Sequence, residues 1–278
     1  MDGDPSAPDW INGDPAELRR WRDARPEVVS PVLPDDVAIA PLPPEGGCPG
    51  GLAFLPEGEA AGVPILYFHG GGFIVGSPET HRVVAAWIAH ITRVPVFSIR
   101  YRLAPEHPLP AQADDAIAAI RRRLRTSPRL RLTGDSAGGM VALWGHAGLT
   151  AAERKRIAGA VLFYPGGSST IPLPEGPDDD ESSGLGPKSL AAYQRRLDPE
   201  EIAAGNPAYD PMATGFALPQ PTVILGAGAD PVLYTSTALA ALPGGRLIVA
   251  AMQGHGFLSA LPAEPVIYWL RLALKPSP

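Results

Sequence analysis

A serine lies in the segment Gly-Asp-Ser-Ala-Gly at residues 134–138, which fits the pattern G-x-S-x-G. An apolar run at 129–134 leads into it, and a helical pattern follows through about residue 148. A sharp turn from a strand into a helix would expose the Ser136 hydroxyl and leave no room for side chains at the two glycines. An ordinary Gly/Ser turn uses the same residue types. Because a serine hydroxyl hardly ionises at neutral pH, a nucleophilic role requires a base elsewhere in the chain.

His255 is the histidine whose position best fits that base. It lies in the glycine-flanked loop "QGHGF", directly after the apolar run at 245–252. Open α/β sheets build their sites at this end of the strands. The pattern favours structural roles for the histidines in predicted helices and in the proline-rich loop "APEHPLP", which are His81, His90, His146 and His107.

The base needs an acid that fixes its tautomer and stabilises its cation. Asp230 in "LGAGADPV" follows the apolar run at 221–228, and Asp210 in "NPAYDP" is the alternative. We favour Asp230 because it comes directly after a strand. The order Ser136, Asp230, His255 is that of α/β hydrolases. A dinucleotide-binding interpretation of "GAGAD" fails, since the third glycine is missing and the motif lies too late in the chain.

The third requirement is a site for the negative charge that develops on a carbonyl oxygen. Three successive glycines in "HGGGF", residues 69–73, follow the apolar run at 63–70. Glycines allow the backbone to approach a reacting oxygen and to direct N–H groups at it, and the amide of Ala137 would complete the set. The alternative is a plain glycine loop.

The elements that must position these groups alternate along the chain. Nearly all-apolar runs alternate with helical patterns near 80–92 and 111–125 and at the end of the chain, which predicts an α/β fold with a parallel sheet covered on both faces. A short helix is predicted at 14–25. The long irregular segment at 166–215 is typical of a lid or pocket wall. We therefore predict one domain, residues 1–278, with cap elements at approximately 1–34 and 166–215.

Composition excludes several partners. The 278 residues carry a formal charge of −6, so neither nucleic acid nor an anionic membrane surface is an expected partner. The chain lacks a signal-like start and an apolar run of membrane-spanning length, which predicts a cytoplasmic protein. A single cysteine, Cys48, excludes an internal disulfide. The acidic run Asp178 to Glu181 lacks a calcium-loop pattern and is interpreted as a solvated loop.

Five motifs in this order, "HGGGF", "YRLAPEHPLP", "GDSAGG", "ADPV" and "HGF", resemble those of the bacterial hormone-sensitive-lipase-like (family IV) esterases, the α/β-hydrolase fold-3 group. The resemblance covers about residues 63–275 and implies an eight-stranded, mostly parallel sheet with a helical cap. Carried over by position, it implies a nucleophile, an acid and a base at Ser136, Asp230 and His255. It further implies an oxyanion hole made by the amides of Gly71, Gly72 and Ala137, and a structural role for His69.

The sequence departs from the family at two of these motifs. Val232-Leu233-Tyr234-Thr235 stands where Leu-x-Asp-Glu commonly follows the acid motif, and Met140 replaces a residue that is often polar. Neither change removes a catalytic group. Because of these changes, the shape of the pocket does not follow from the resemblance.

The resulting hypothesis is a carboxylesterase that acts on small-molecule esters with short acyl groups, through an acyl-enzyme intermediate and without metal or cofactor. Two alternatives stay open. One is an amide hydrolase, such as an arylformamidase or a small-molecule deacetylase, with the same triad. The other is a non-catalytic ligand receptor on the hydrolase scaffold, which the presence of His255 disfavours.

Overall fold

The computed structural model describes residues 8–58, 62–168, 170–171 and 184–275. Its centre is an eight-stranded sheet whose spatial order is β1-β2-β4-β3-β5-β6-β7-β8. Strand β2 pairs antiparallel with both β1 and β4, and all the other neighbouring strands are parallel. The strands are β1 (Val37–Leu42), β2 (Gly51–Pro56), β3 (Ile65–Phe68), β4 (Val96–Ile99), β5 (Leu130–Asp135), β6 (Ile157–Phe163), β7 (Thr222–Ala227) and β8 (Gly245–Ala250). The fold class predicted from the sequence is therefore confirmed.

Nine α-helices lie within the described residues. They are α1 (Pro15–Asp23), α2 (Pro26–Val29), α3 (Arg82–Thr92), α4 (Ala111–Leu124), α5 (Ala137–Ala147), α6 (Ala151–Arg154), α7 (Pro187–Leu197), α8 (Leu233–Ala240) and α9 (Glu264–Leu274). A 3₁₀ turn spans Phe257–Ala260. In the described part of the chain, every helix is too short or too polar to cross a bilayer.

Each face of the sheet is covered by helices. Successive side chains of a strand point to opposite faces, so Leu66 and Phe68 of β3 enter the core under α4 and α5. Ile65 and Tyr67 enter the core under α3 and α9. All four side chains are buried, which explains why β3 is apolar without alternation.

Strand β5 extends further than its apolar run. The run predicts a strand that ends at Gly134 or before, whereas β5 continues to Asp135 because Gly134 and Asp135 pair with Leu162 and Phe163 of β6. The turn at Ser136 is consequently tighter than the sequence indicates, since only one residue separates β5 from α5.

The sheet order brings the predicted site segments to one edge. The loops after β3, β5, β7 and β8 all leave from the carboxyl ends of parallel strands. The strand β3 lies next to β5, so the glycine loop and the Ser136 turn are neighbours. The 230 and 255 loops leave from the adjacent strands β7 and β8.

Candidate active site

Ser136 occupies the single position between β5 and α5, in a backbone conformation with φ 50° and ψ −125°. A non-glycine residue seldom adopts this conformation, and when it persists it does so because the surroundings fix it. The Ser136 amide donates to the Phe163 carbonyl at 2.9 Å. Gly138 allows the turn to approach β3, because a Cβ there would lie 2.0 Å from the Phe68 carbonyl oxygen. The sharp turn therefore holds the Ser136 side chain at the edge of the sheet.

The His255 ring links Ser136 to Asp230. Its Nε2 lies 2.7 Å from Ser136 Oγ, and its Nδ1 lies 2.7 Å from Asp230 Oδ2. A carboxylate can only accept, so Nδ1 carries the proton and Nε2 is left to accept the proton of the serine hydroxyl. The arrangement has the geometry of a nucleophile, a base and an orienting acid.

The surroundings fix this chain of hydrogen bonds. Asp230 Oδ1 accepts from the Val232 amide at 2.9 Å, and the Asp230 side chain is 1% exposed. The His255 side chain is 14% exposed, and the Tyr164 ring packs edge-on against it at 5.0 Å between centroids. The imidazole is thus held on one side by the acid and on the other by an aromatic ring.

The glycine loop lies beside Ser136. Gly71 and Gly72 line the same cavity as Ser136 and Ala137. At Gly71, φ is +119°, and a Cβ there would lie 2.2 Å from the Val75 carbonyl oxygen, so the loop needs glycine at this position.

Asp135 is a site residue to which sequence reasoning assigned no role. Its Oδ1 accepts from Tyr67 Oη at 2.5 Å and from the Gly70 amide at 2.9 Å. Burial raises the pKa of the Asp135 carboxyl, and these hydrogen bonds act against that rise. The carboxyl thereby joins the residue before Ser136 to the first glycine of the loop. The signal available in the sequence is the lone hydroxyl of Tyr67 in an otherwise apolar strand.

His69 and His81 form a buried layer behind this link. The His69 ring stacks on Tyr101 at 4.3 Å and on His81 at 5.3 Å between centroids, and Tyr101 Oη donates to the His69 carbonyl at 2.7 Å. Burial lowers the pKa of both histidines to about 3, so they are neutral at physiological pH. His81 lies at the N-terminal end of α3, one residue before the helix begins.

The alternative acid Asp210 and the histidine His90 make contacts elsewhere in the structure. Asp210 accepts from the amides of Gly205 and Met212 at 2.9 and 2.8 Å, as a turn-forming aspartate does. His90 Nδ1 lies 2.6 Å from Asp36 Oδ1. No group of three or more His, Cys, Asp and Glu side chains is arranged to hold a metal ion in the described ranges. The Asp178 to Glu181 run lies outside the described residues.

Acidification is expected to destabilise the fold through its buried histidines. Burial lowers the pKa of His146 to about 4, below the usual value of about 6.5 for the unfolded chain. The unfolded state therefore binds more protons between these two values, and stability falls as the pH drops through that window. The free energy of unfolding, measured with urea between about pH 6 and pH 5, should therefore change with pH. In His146→Gln its slope should be smaller than in the unmodified chain by about 1 kcal/mol per pH unit. Equal slopes for the variant and the unmodified chain would contradict the assignment.

A cavity of about 590 Å³ opens above Ser136. Its walls include Trp10, Trp21 and Tyr193, which belong to the two segments predicted as cap elements. The Trp10 ring packs edge-on against Trp21 at 5.4 Å and against Tyr193 at 6.3 Å. The described parts of the two segments therefore line the same cavity as Ser136.

Arg196 of α7 connects the two segments directly. Its guanidinium donates to the carbonyl oxygens of Trp10, Ile11 and Gly13 at 3.0, 3.1 and 3.0 Å. One side chain thus satisfies three backbone acceptors of a segment more than 180 residues away in sequence. This contact fixes the position of Trp10 in the cavity wall.

The amino-acid sequence is similar to those of known proteins. A family model described as the alpha/beta hydrolase fold matches residues 65–245. Esterase LipI of Mycobacterium tuberculosis is 36% identical over 192 residues, which cover 63% of this chain and 57% of LipI. The chain therefore spans less than two thirds of that relative's length.

Solved structures are similar over nearly the whole chain. An ester hydrolase from the metagenome of Lake Arreo, in complex with a bipyridine phosphonate derivative, has a TM-score of 0.81 at 28% identity, covering 96% of this chain and 91% of its own. A hormone-sensitive lipase from a metagenome library has a TM-score of 0.73 at 26% identity, covering 94% of this chain and 92% of its own.

Proposed function

The chain belongs to the α/β-hydrolase fold family, in the group of the bacterial hormone-sensitive-lipase-type esterases, and we propose that it hydrolyses carboxylic esters with short acyl groups. The observation that supports this most directly is the position of the His255 ring, 2.7 Å from both Ser136 Oγ and Asp230 Oδ2. A receptor that only binds its ligand has no need for a base aligned with a serine hydroxyl.

In the proposed acylation step, Ser136 Oγ attacks the ester carbonyl while His255 Nε2 takes its proton. The Asp230 carboxylate stabilises the imidazolium that forms. The oxygen of the tetrahedral intermediate becomes negative and is held by the amides of Gly71, Gly72 and Ala137. His255 then gives its proton to the departing alcohol, which leaves an acyl group on Ser136.

In the proposed deacylation step, a water molecule replaces the alcohol. His255 takes a proton from the water as it attacks the acyl carbonyl, and the same amides hold the second oxyanion. The carboxylic acid leaves when Ser136 Oγ recovers its proton. Every group that this sequence requires belongs to the protein, the ester or water, so the proposal includes no cofactor or metal.

We infer that residues at approximately 1–34 and 166–215 act as a cap on one hydrolase domain, residues 1–278. Trp10, Trp21 and Tyr193 support this inference, because their rings form the cavity wall opposite the sheet. Such a wall favours compact substrates, since the cavity has to hold the acyl and alcohol portions together.

A series of p-nitrophenyl esters from acetate to palmitate tests the proposal. We expect kcat/KM to be greatest for acetate to hexanoate, because each methylene forced into a filled cavity costs about 1 to 3 kcal/mol, or roughly five- to 150-fold. A p-nitroanilide of the best acyl group measures amide cleavage and should be the poorer substrate. Palmitate as the best ester would contradict the short-chain proposal. A faster anilide would assign the chain to amide hydrolysis instead.

A further inference from the structure

Arg19 of α1 binds the backbone that follows the glycine loop. Its Nε donates to the Ile74 carbonyl at 2.9 Å, and its Nη2 donates to the Ala104 carbonyl at 3.0 Å. The same guanidinium forms a bidentate pair with Glu106, at 2.8 Å from Nη1 to Oε1 and 2.7 Å from Nη2 to Oε2. One side chain therefore joins α1 to the loops that leave the neighbouring parallel strands β3 and β4.

Glu106 belongs to the motif "YRLAPEHPLP", residues 101–110, which the proposed hydrolysis steps leave without a role. The hydrogen bonds from Arg19 lower the pKa of Glu106 to about 2, so its carboxylate is charged at neutral pH. The Glu106 side chain is half exposed, and an ion pair at such a position contributes little stability by itself. Its bidentate geometry instead fixes the plane of the guanidinium, whose other donors bind backbone carbonyls.

The turn that Arg19 binds has a strained backbone. Phe73 has a φ of +65°, a left-handed conformation that a bulky side chain seldom adopts. The amides of Ile74 and Val75 both donate to the Gly71 carbonyl, at 3.1 and 3.0 Å, and the Ala104 amide donates to the Phe73 carbonyl at 2.9 Å. Such a conformation persists only where its surroundings fix it. Arg19 binds the carbonyls of Ile74 and Ala104 and so holds both sides of this contact.

Both predicted cap segments rest on the same turn. Leu18 of α1 is fully buried, in one apolar cluster with Ile74 and Val75. Tyr193 of α7 belongs to this cluster as well. The Tyr193 ring lies so close to Gly72 that a Cβ there would be 3.3 Å from it. The position of the glycine loop is therefore coupled to the packing of α1 and α7.

Arg19 and Glu106 lie outside the set of described residues that line the cavity. An effect of Arg19 on the reaction therefore has to pass through the loop. The amides of Gly71 and Gly72, which we propose as oxyanion donors, come two to three residues before Ile74. Such donors act only when they are directed at the position of the oxyanion, and a displacement of about 1 Å at a reacting centre can lower the rate about 10²-fold.

We propose that Arg19 is a positioning residue that keeps the amides of Gly71 and Gly72 directed at the oxyanion, so that catalysis depends on the docking of α1. This proposal rests on the ester hydrolysis proposed above. Its effect is on the transition state, because the tetrahedral oxyanion gains more from these amides than the neutral ester carbonyl does.

A thionoester tests the proposal, since sulfur replaces the carbonyl oxygen that the amides would hold. p-Nitrophenyl butyrate and its thiono analogue both release p-nitrophenolate, and the ratio of their kcat/KM values measures how much the amides contribute. Sulfur accepts hydrogen bonds weakly, so the thionoester gains less from them. We expect Arg19→Gln to lower kcat/KM for the oxygen ester about ten- to 100-fold and the ratio about tenfold. A loss of folded protein alone would lower both values equally.

Arg196→Gln is the matched control, because its guanidinium also donates to backbone carbonyls but binds residues 10–13 instead of the turn after the glycine loop. Its ratio should stay within about twofold of the unmodified chain. Arg20→Gln should leave kcat/KM for both esters unchanged, since Arg20 is exposed on the same helix as Arg19 and pairs with Glu17 at 3.7 Å.

Arg19→Lys decides the question if Arg19→Gln does not fold. Lysine keeps the charge beside Glu106 but lacks the planar fork that binds Ile74, Ala104 and Glu106 together. Its ratio should therefore lie below that of the unmodified chain and above that of a folded Arg19→Gln.

The outcomes separate this inference from the function on which it rests. An unchanged ratio in folded Arg19→Gln or Arg19→Lys overturns the positioning role and leaves ester hydrolysis intact. An equal fall in Arg196→Gln also overturns it, because the effect would then belong to the cap segments in general. A ratio near one in the unmodified chain overturns it as well, since the amides would contribute nothing. Failure of the unmodified chain to hydrolyse p-nitrophenyl butyrate contradicts the proposed function itself.

Discussion

Replacing Ser136 with alanine is expected to lower kcat for p-nitrophenyl butyrate by about 10⁴- to 10⁶-fold, as removal of the nucleophile does in other triad enzymes. The hydroxyl is the group that His255 Nε2 contacts at 2.7 Å, and alanine leaves that base with nothing to deprotonate. The fold should remain intact because alanine keeps the Cβ and the same backbone strain. Steady-state assays of the purified variant measure kcat, and circular dichroism checks that the variant is folded.

Ser259 offers a matched control for this variant, since it is a second serine in the same cavity wall. Ser259→Ala should change kcat by less than about tenfold, because the loss of a contact that is not part of the transition state has a small effect. A Ser136→Ala protein that is folded and keeps more than a tenth of the turnover would contradict the role of Ser136.

Replacing Asp230 with asparagine is expected to lower kcat by about 10⁴-fold, the effect known for loss of the acid in a Ser-His-Asp triad. Asparagine has nearly the same shape, but its amide can present an N–H to His255 Nδ1 and so favour the wrong tautomer. Asp230 is buried, and its second oxygen is held by the Val232 amide, so no other carboxylate can easily take its place. The measurement is kcat for the same ester.

Asp210→Asn is the control for the acid, since Asp210 was the alternative candidate. Asp210 accepts from two backbone amides in a turn, so its change should reduce thermal stability while kcat stays within about tenfold of the unmodified chain. The opposite pattern, with kcat lost in Asp210→Asn and kept in Asp230→Asn, would exchange the roles of the two carboxylates.

The sequence was sufficient to predict the fold class because the sheet has a strong local signature. Buried parallel strands such as β3 and β7 are continuously apolar, and their helices are amphipathic, so each element is visible in a short window. The glycine loop, Ser136, Asp230 and His255 each lie in a segment that follows a strand of this sheet. Their proximity in space follows from a sheet whose carboxyl ends share one edge.

The contacts between segments could not be predicted, because their residue types have many local uses. Asp135 joins Tyr67 and Gly70 only when β3 lies next to β5, and nothing in the sequence of either strand encodes that pairing. In the sequence, Arg22 cannot be distinguished from the other arginines of the short polar helix α1. Its place in the cavity wall depends on how α1 packs against the rest of the chain, which no short stretch of the sequence specifies.

The proposed hydrolysis requires Ser136 to be the activated nucleophile of this chain. Labelling with a fluorophosphonate probe, followed by mass mapping of the peptide after Arg131, tests it most directly. We expect one probe per chain, attached to Ser136, with no labelling in Ser136→Ala and much slower labelling in His255→Ala. Labelling of Ser259 or another serine, or no labelling of a folded chain, would contradict it.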